Sequence, residues 1–292
     1  MSAALDDTDA RPPAAAAAPA SAVETPPVST RFRLGERLTD EQRAFFDTYG
    51  FLHFEGFISP DEVEGLRQDM ATVQARWIAE GRTKVNGIPV RYGMDVDGKP
   101  MVQRFAFTSR FGENFHRLVN DPRFEPVKAL IGEDCRVGED EKDGVVVNHY
   151  VNVEGSTYKQ LGWHTDGLRD LFYLRMPGPM LNVGLYLDDS PLAKGGLRIL
   201  PGTHKQGFFR MAFGKLYFLD NRTDPREVCL EARAGDLTIH DGRLWHRVAR
   251  ALVEGEASRR RVMYVPFLNG PYQPKDESSP TPFYHRLQKL VG

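Results

Sequence analysis

His164 and Asp166 stand two residues apart in the stretch Gly-Trp-His-Thr-Asp, between two runs that read as strands, 145–153 and 180–187. Side chains two apart in an extended chain leave it on the same side. An imidazole nitrogen and a carboxylate oxygen can therefore face one point. That is two-thirds of the two-histidine, one-carboxylate face that holds non-haem Fe(II) and leaves other coordination positions open. Three histidines farther along, His204, His240 and His246, are candidates for the remaining ligand. His204 follows a Pro-Gly turn. His240 and His246 flank the turn signal Asp241-Gly242, and Trp245 before His246 is bulky enough to wall off a site. Any one of them is more often a hydrogen-bonded core residue than a ligand, so spacing alone leaves the three open.

The elements that must position these residues read as strands at 145–153, 180–187, 197–200, 228–232, 237–240 and 260–267. Gly, Pro and Asp clusters separate them, and no helices alternate with them. The pattern predicts a mainly β protein with flanking helices, an antiparallel sandwich or barrel rather than a doubly wound sheet. Upstream, Thr39 and Gln42 form a capping-box pattern that opens a short helix ending at Gly50, and a strand follows over 51–57. Ser59-Pro60-Asp61-Glu62 starts a second helix, with Val63, Leu66, Met70, Val73 and Trp77 at helical spacing before Gly81. Residues 82–110, broken by Gly87, Pro89, Gly93, Gly98 and Pro100, read as a long loop over the scaffold. Arg91 and Tyr92 are the candidates there for touching a substrate. A helical patch is expected over 111–131, an exposed tail over 271–282 and a closing helix over 283–290.

Residues 1–30, rich in Ala and Pro, bury too little to offset ordering entropy and read as a disordered leader ahead of a single domain over 31–292. With 38 basic and 40 acidic residues the formal charge is −2, which gives no electrostatic case for nucleic acid or an anionic membrane. Cys135 and Cys229 fit no zinc spacing. The acidic start, with Asp6, Asp7 and Asp9, is unlike a secretory signal, so a cytoplasmic protein is expected.

Three phrases in order carry a resemblance: Trp-His-Thr-Asp, then Gly-Gly-Leu-Arg-Ile-Leu-Pro-Gly-Thr-His-Lys, then Gly-Asp-Leu-Thr-Ile-His-Asp-Gly-Arg-Leu-Trp-His. Together with the opening Leu-Thr-Asp-Glu-Gln…Tyr-Gly-Phe-Leu…Gly-Phe-Ile-Ser-Pro-Asp-Glu-Val, they make the chain from about Leu38 to Leu268 similar to the phytanoyl-CoA dioxygenase-like family. The resemblance implies a double-stranded β-helix (a jelly-roll, cupin-like fold) and an oxygenase using Fe(II), 2-oxoglutarate and O2. It implies His164, Asp166 and His246 as the metal ligands, with no catalytic residue beyond them. The 2-oxoglutarate arginine of the family matches Arg260, and the run Arg259 to Arg261 leaves Arg261 as second choice. A guanidinium fork suits the far carboxylate of that cosubstrate. Where the family usually has Ser or Thr two residues after the second histidine, this chain has Val248, so Asn148 and Tyr150 are expected to contribute instead. His204 is expected to serve the turn, and His240 has no assigned role.

Halogenating relatives carry a small residue in place of the carboxylate, so Asp166 implies hydroxylation of an unactivated C–H bond. The expected substrate is a small carboxylate-bearing molecule, an aliphatic or N-acyl amino acid or else a natural-product or osmolyte precursor, with Arg91, Tyr92, Arg104 and Arg175 as recognition candidates beside Phe105, Phe107 and Phe172. Two other readings suit the same residues: a non-catalytic small-molecule binder, and a cupin-like metal hydrolase or isomerase.

Overall fold

The computed structural model describes residues 24–283 and His285. The expected leader lies outside the described residues as far as residue 23. Its last residues are packed, with the Tyr49 hydroxyl donating to the Pro26 carbonyl (3.3 Å) and Val28 against the core. Of the expected closing helix only Phe283 and His285 are described.

Helix α1 (Asp40–Tyr49) begins at a reciprocal cap. The Gln42 backbone N–H donates to the Thr39 hydroxyl, and the Thr39 N–H donates to the Gln42 side chain. Gly50 ends it with φ 80°, a left-handed cap that glycine adopts without strain. After β1 (Phe51–Phe54), helix α2 (Pro60–Glu80) repeats the logic with Ser59, Pro60 and Glu62. All five residues of its expected stripe are buried, from Val63 to Trp77.

The segment 82–110 is not a loop. It folds into two hairpins, β2 (Lys84–Val85) with β3 (Ile88–Pro89), and β4 (Arg91–Met94) with β5 (Pro100–Phe105). The glycines that suggested irregular chain mark the hairpin turns, with φ 79° at Gly87 and 75° at Gly98. The helical patch is likewise interrupted, into α3 (Glu113–Val119) and α4 (Glu125–Lys128), where Pro122 removes a backbone donor and starts a short 3-10 turn.

The remaining strands are β6 (Arg136–Val137), β7 (Val146–Asn152), β8 (Leu161–His164), β9 (Met180–Tyr186), β10 (Gly196–Ile199), β11 (Val228–Cys229), β12 (Leu237–Asp241), β13 (His246–Ala249) and β14 (Gly255–Leu268). Short helices α5 (Leu168–Phe172) and α6 (Phe208–Phe213) lie between them. The larger sheet runs β1-β12-β9-β14-β7-β5-β4, with β6 also on β14; the smaller runs β11-β10-β13-β8. All these pairings are antiparallel, and together the sheets make a double-stranded β-helix. Among the described residues no helix is long and apolar enough to cross a membrane.

Alternation assigns the faces of the larger sheet. In β9, Leu181, Val183 and Leu185 join the main core, which also holds Phe45 and Trp77 of α1 and α2. Their neighbours Met180, Asn182, Gly184 and Tyr186 point to the opposite side, as side chains of a pleated strand must. The same parity sends Leu237 and Ile239 of β12, and Met263 and Val265 of β14, into the main core. Thr238, His240, Arg260, Val262 and Tyr264 are left for the inside of the barrel. That polar inner face builds the site.

Candidate metal centre

His164 ends β8 and His246 begins β13, and the two are paired across the small sheet with ring centroids 4.1 Å apart. Asp166 lies two residues beyond the end of β8, its N–H donating to the Gly242 carbonyl at 2.8 Å. One donor atom from each of the three lies within 4.8 Å of the others.

The tautomers suit a cation. His164 Nδ1 lies 2.8 Å from the Gly162 carbonyl and His246 Nδ1 lies 2.9 Å from the Leu244 carbonyl. A carbonyl can only accept, so each Nδ1 carries the proton and each Nε2 offers its lone pair to the cavity. Burial, with His246 alongside, holds the His164 imidazole well below the usual histidine range, in the unprotonated form a metal needs. Asp166 Oδ1 lies 3.8 Å from His246 Nε2, and Asp166 Oδ2 accepts from Asn182 Nδ2 at 3.3 Å. Phe218 covers one face of the His164 ring at 5.1 Å. Trp163 and Trp245 pack with Leu200 in a separate buried cluster, and their indole N–H groups donate to the Arg222 carbonyl and the Gln206 side chain.

His204 is not part of this group. It packs at the end of α1, with Nε2 3.1 Å from the Asp47 carbonyl, and serves the turn. His240 is closer than the sequence suggested. It faces the cavity from β12, opposite Asn182, with Nε2 3.8 Å from Asp166 Oδ2 and its ring 4.5 Å from that of His246. Burial and His246 push it down to about 3, so it is neutral. Neither of its nitrogens has a hydrogen-bond partner. Such a buried orphan costs about 1–3 kcal/mol. His240→Phe, similar in shape and without polar atoms, is therefore expected to raise the melting temperature of the metal-free protein by about 2–4 °C. Calorimetry checks this, and a lowered melting temperature counts against it.

A cavity of about 860 Å3 opens from the metal ligands and is lined in part by Asn148, Tyr150, Tyr158, Val248 and Tyr264. Arg260 lies deep in this side of the barrel, 2% exposed, with its guanidinium 4.1 Å over the Tyr150 ring. Its Nε donates to the Lys194 carbonyl (2.9 Å) and Nη2 to the Ala249 carbonyl (3.2 Å). Burial lowers its pKa, and among the described residues no carboxylate pairs with it. Arg261 points the other way, its fork bound to both oxygens of Asp188 at 2.7 Å. The Asn148 side-chain oxygen is buried without a partner. Val248, where the resemblance marks a departure from the usual Ser or Thr, packs against Tyr150 and Tyr158.

The two substrate candidates fare differently. Arg91 sits on β4 with its guanidinium 5.2 Å over the Tyr158 ring, behind the cavity wall. Tyr92 must be corrected. Its hydroxyl lies 2.7 Å from the Arg82 carbonyl and 3.1 Å from that of Trp77, at the end of α2, because 91–94 is a strand paired with β5 and not a loop over the site. Arg104 does line the cavity and bonds Asp143 at 2.5 Å. Although burial raises the Asp143 carboxyl, His285 and Arg104 hold it well below the usual range. Asn182, Phe218 and Lys142 also line the cavity and were not anticipated. The polar alternation of β9 was the available signal for Asn182.

Comparison with known proteins agrees with this geometry. Residues 46–252 match the phytanoyl-CoA dioxygenase (PhyH) family. A phytanoyl-CoA dioxygenase domain-containing protein 1 homolog of Dictyostelium discoideum is 25% identical over 254 residues, 72% of this chain and 85% of that protein. A probable alpha-ketoglutarate-dependent hypophosphite dioxygenase of Stutzerimonas stutzeri is 22% identical over 219 residues, 71% of each. Among solved structures, HygX from Streptomyces hygroscopicus with nickel and 2-oxoglutarate bound superimposes with a TM-score of 0.57 at 21% identity, covering 81% of this chain and 89% of HygX. The non-heme alpha ketoglutarate dependent carbocyclase SnoK from nogalamycin biosynthesis gives 0.57 at 18% identity, covering 82% and 87%.

Proposed function

The chain belongs to the phytanoyl-CoA dioxygenase family, and from that premise we propose that it is an Fe(II)- and 2-oxoglutarate-dependent hydroxylase of a carboxylate-bearing small molecule. One observation carries the reading: three metal-competent donors converge on a cavity beside a buried, carboxylate-free arginine. Buried charges are paired in stable proteins, and Arg260, which no carboxylate pairs among the described residues, fits a dianionic cosubstrate carrying an ionised carboxylate at its far end. Iron and 2-oxoglutarate, when bound, supply the oxidation: 2-oxoglutarate and O2 give succinate, CO2 and one oxygen atom for the substrate.

The rest falls to side chains. His164 Nε2, His246 Nε2 and one Asp166 oxygen would hold the ion. Asn182 keeps the carboxylate turned toward the metal, and the backbone carbonyls of Gly162 and Leu244 fix the rings. Arg260 takes the far carboxylate of 2-oxoglutarate, stacked on Tyr150. Phe218 and the apolar side chains Leu197 and Val248 shed water from the reacting centre.

Iron-dependent release of succinate from 2-oxoglutarate tests the reading, and its absence with iron bound would favour a binding protein or a hydrolase. A carbocyclase such as SnoK is named for ring closure, so the product mass separates outcomes on one fold. Hydroxylation adds one oxygen, whereas oxidative cyclisation removes two hydrogens. Val248→Ser restores the hydroxyl usual in the family, and is expected to tighten 2-oxoglutarate about tenfold, the worth of one hydrogen bond to a charged group. Titration calorimetry with Ni(II) in place of iron reads the change.

A further inference from the structure

Beyond the metal ligands and Arg260, the cavity wall carries Lys142, a cation with no carboxylate partner among the described residues. Lys142 sits in the turn before β7 with φ 53°, a left-handed backbone that a lysine adopts only under strain. That conformation keeps its side chain on the cavity. Among the described residues its ammonium makes one hydrogen bond, to the Met180 sulfur at 3.1 Å. The acids around it are engaged elsewhere. Glu141 is bound by Arg136 at 2.7 and 2.9 Å, Asp143 by Arg104 and His285, and Asp140 by Tyr272. Among the described residues no carboxylate comes within ion-pair range of Lys142.

Gly242 links its contact to the metal ligands. A Cβ built there would lie 2.9 Å from the Met180 sulfur and 3.4 Å from Asp166 Cβ, so Met180, which Lys142 touches, and Asp166 both border this glycine. Asn182 and His240 continue the same wall, and Arg175, on the loop leading into β9, is a further cation of the cavity lining.

We propose that Lys142 is the specificity residue for substrate charge, and that the cavity takes an acid whose anionic group docks against Lys142 on the Asp166 side of the metal, apart from the 2-oxoglutarate subsite at Arg260. This rests on the oxygenase reading for the identity of the cavity and deepens it. The unpartnered His240 ring, on the same wall, is available to a polar substituent of that acid.

The test uses hexanoate and its uncharged counterpart hexanamide, titrated into the full-length protein by calorimetry, with and without Ni(II) and N-oxalylglycine. With the 2-oxoglutarate subsite filled, hexanoate should bind at least about tenfold tighter than hexanamide, the value of one charge-assisted contact. Lys142→Asn removes the ammonium and suits a left-handed backbone, so it should fold and should abolish the preference. Lys142→Arg should keep it. Equal binding of the two probes, binding of neither, or a preference that survives Lys142→Asn overturns the proposal. Failure of N-oxalylglycine to bind alongside Ni(II) strikes the oxygenase reading instead, and the comparison of probes without it still reports on Lys142.

Discussion

Asp166→Gly is expected to reduce iron affinity by at least about a hundredfold and to bring 2-oxoglutarate-dependent oxidation to background. Changes to groups that merely orient ligands typically cost 10–100-fold, and here a ligand itself is lost. The two imidazoles that remain bring no charge to offset the ion. The fold should survive. Asp166 is a peripheral member of the structure, with a side chain 19% exposed and one hydrogen bond at 3.3 Å from Asn182, while its backbone N–H to Gly242 is kept. Added backbone freedom costs about 0.5–1 kcal/mol, a fall in melting temperature of a few degrees at this size. Metal titration followed by Co(II) absorbance, succinate assays and thermal melts separate the two halves. Oxidation at the wild-type rate would remove Asp166 from the metal and take the whole site assignment with it.

Local signals and long-range ones contributed differently to what could be read before the structure. The caps at Thr39 and Ser59 and the stripe from Val63 to Trp77 depend on neighbours a few residues away, so the sequence displays them directly. His164 and Asp166 are legible for the same reason. The hairpins of 82–110 were hidden because their glycines punctuate turns and loops alike, and that error carried Tyr92 to the wrong place. His240 could have been placed by parity. Leu237, Ile239 and Asp241 alternate with Thr238 and His240, and if the apolar set faces the helices then His240 faces the metal. What parity cannot supply is distance. That Lys142 comes to rest on the sulfur of Met180, thirty-eight residues on, is set by the placing of β9, which is not near it in sequence.

The run Arg259-Arg260-Arg261 shows the same limit and yields the sharpest prediction. In a strand the middle arginine must face away from its neighbours, but which face is the barrel depends on pairing with β7 and β9. The pairing sets Arg260 opposite Tyr150 on the inner side, while Arg259 bonds Asp95 and Glu256 and Arg261 bonds Asp188. Arg260→Met, which fills the space without charge, is therefore expected to raise the KM for 2-oxoglutarate by about 30–1000-fold, the loss of roughly 2–4 kcal/mol in paired charge-assisted hydrogen bonds. Iron should still bind, since the change leaves all three ligands and their partners in place. Arg260→Lys should recover only part of the loss, because an ammonium lacks the fork. Arg261→Met is expected to do the reverse. It frees Asp188, whose carboxyl is held below its usual range, despite burial, by Arg261 first and Arg67 next, so it should lower the melting temperature and leave that KM within about twofold of wild type. Steady-state kinetics beside thermal melts on the three variants decide it: a large KM effect from Arg261→Met, with none from Arg260→Met, would put the cosubstrate on the other face of β14.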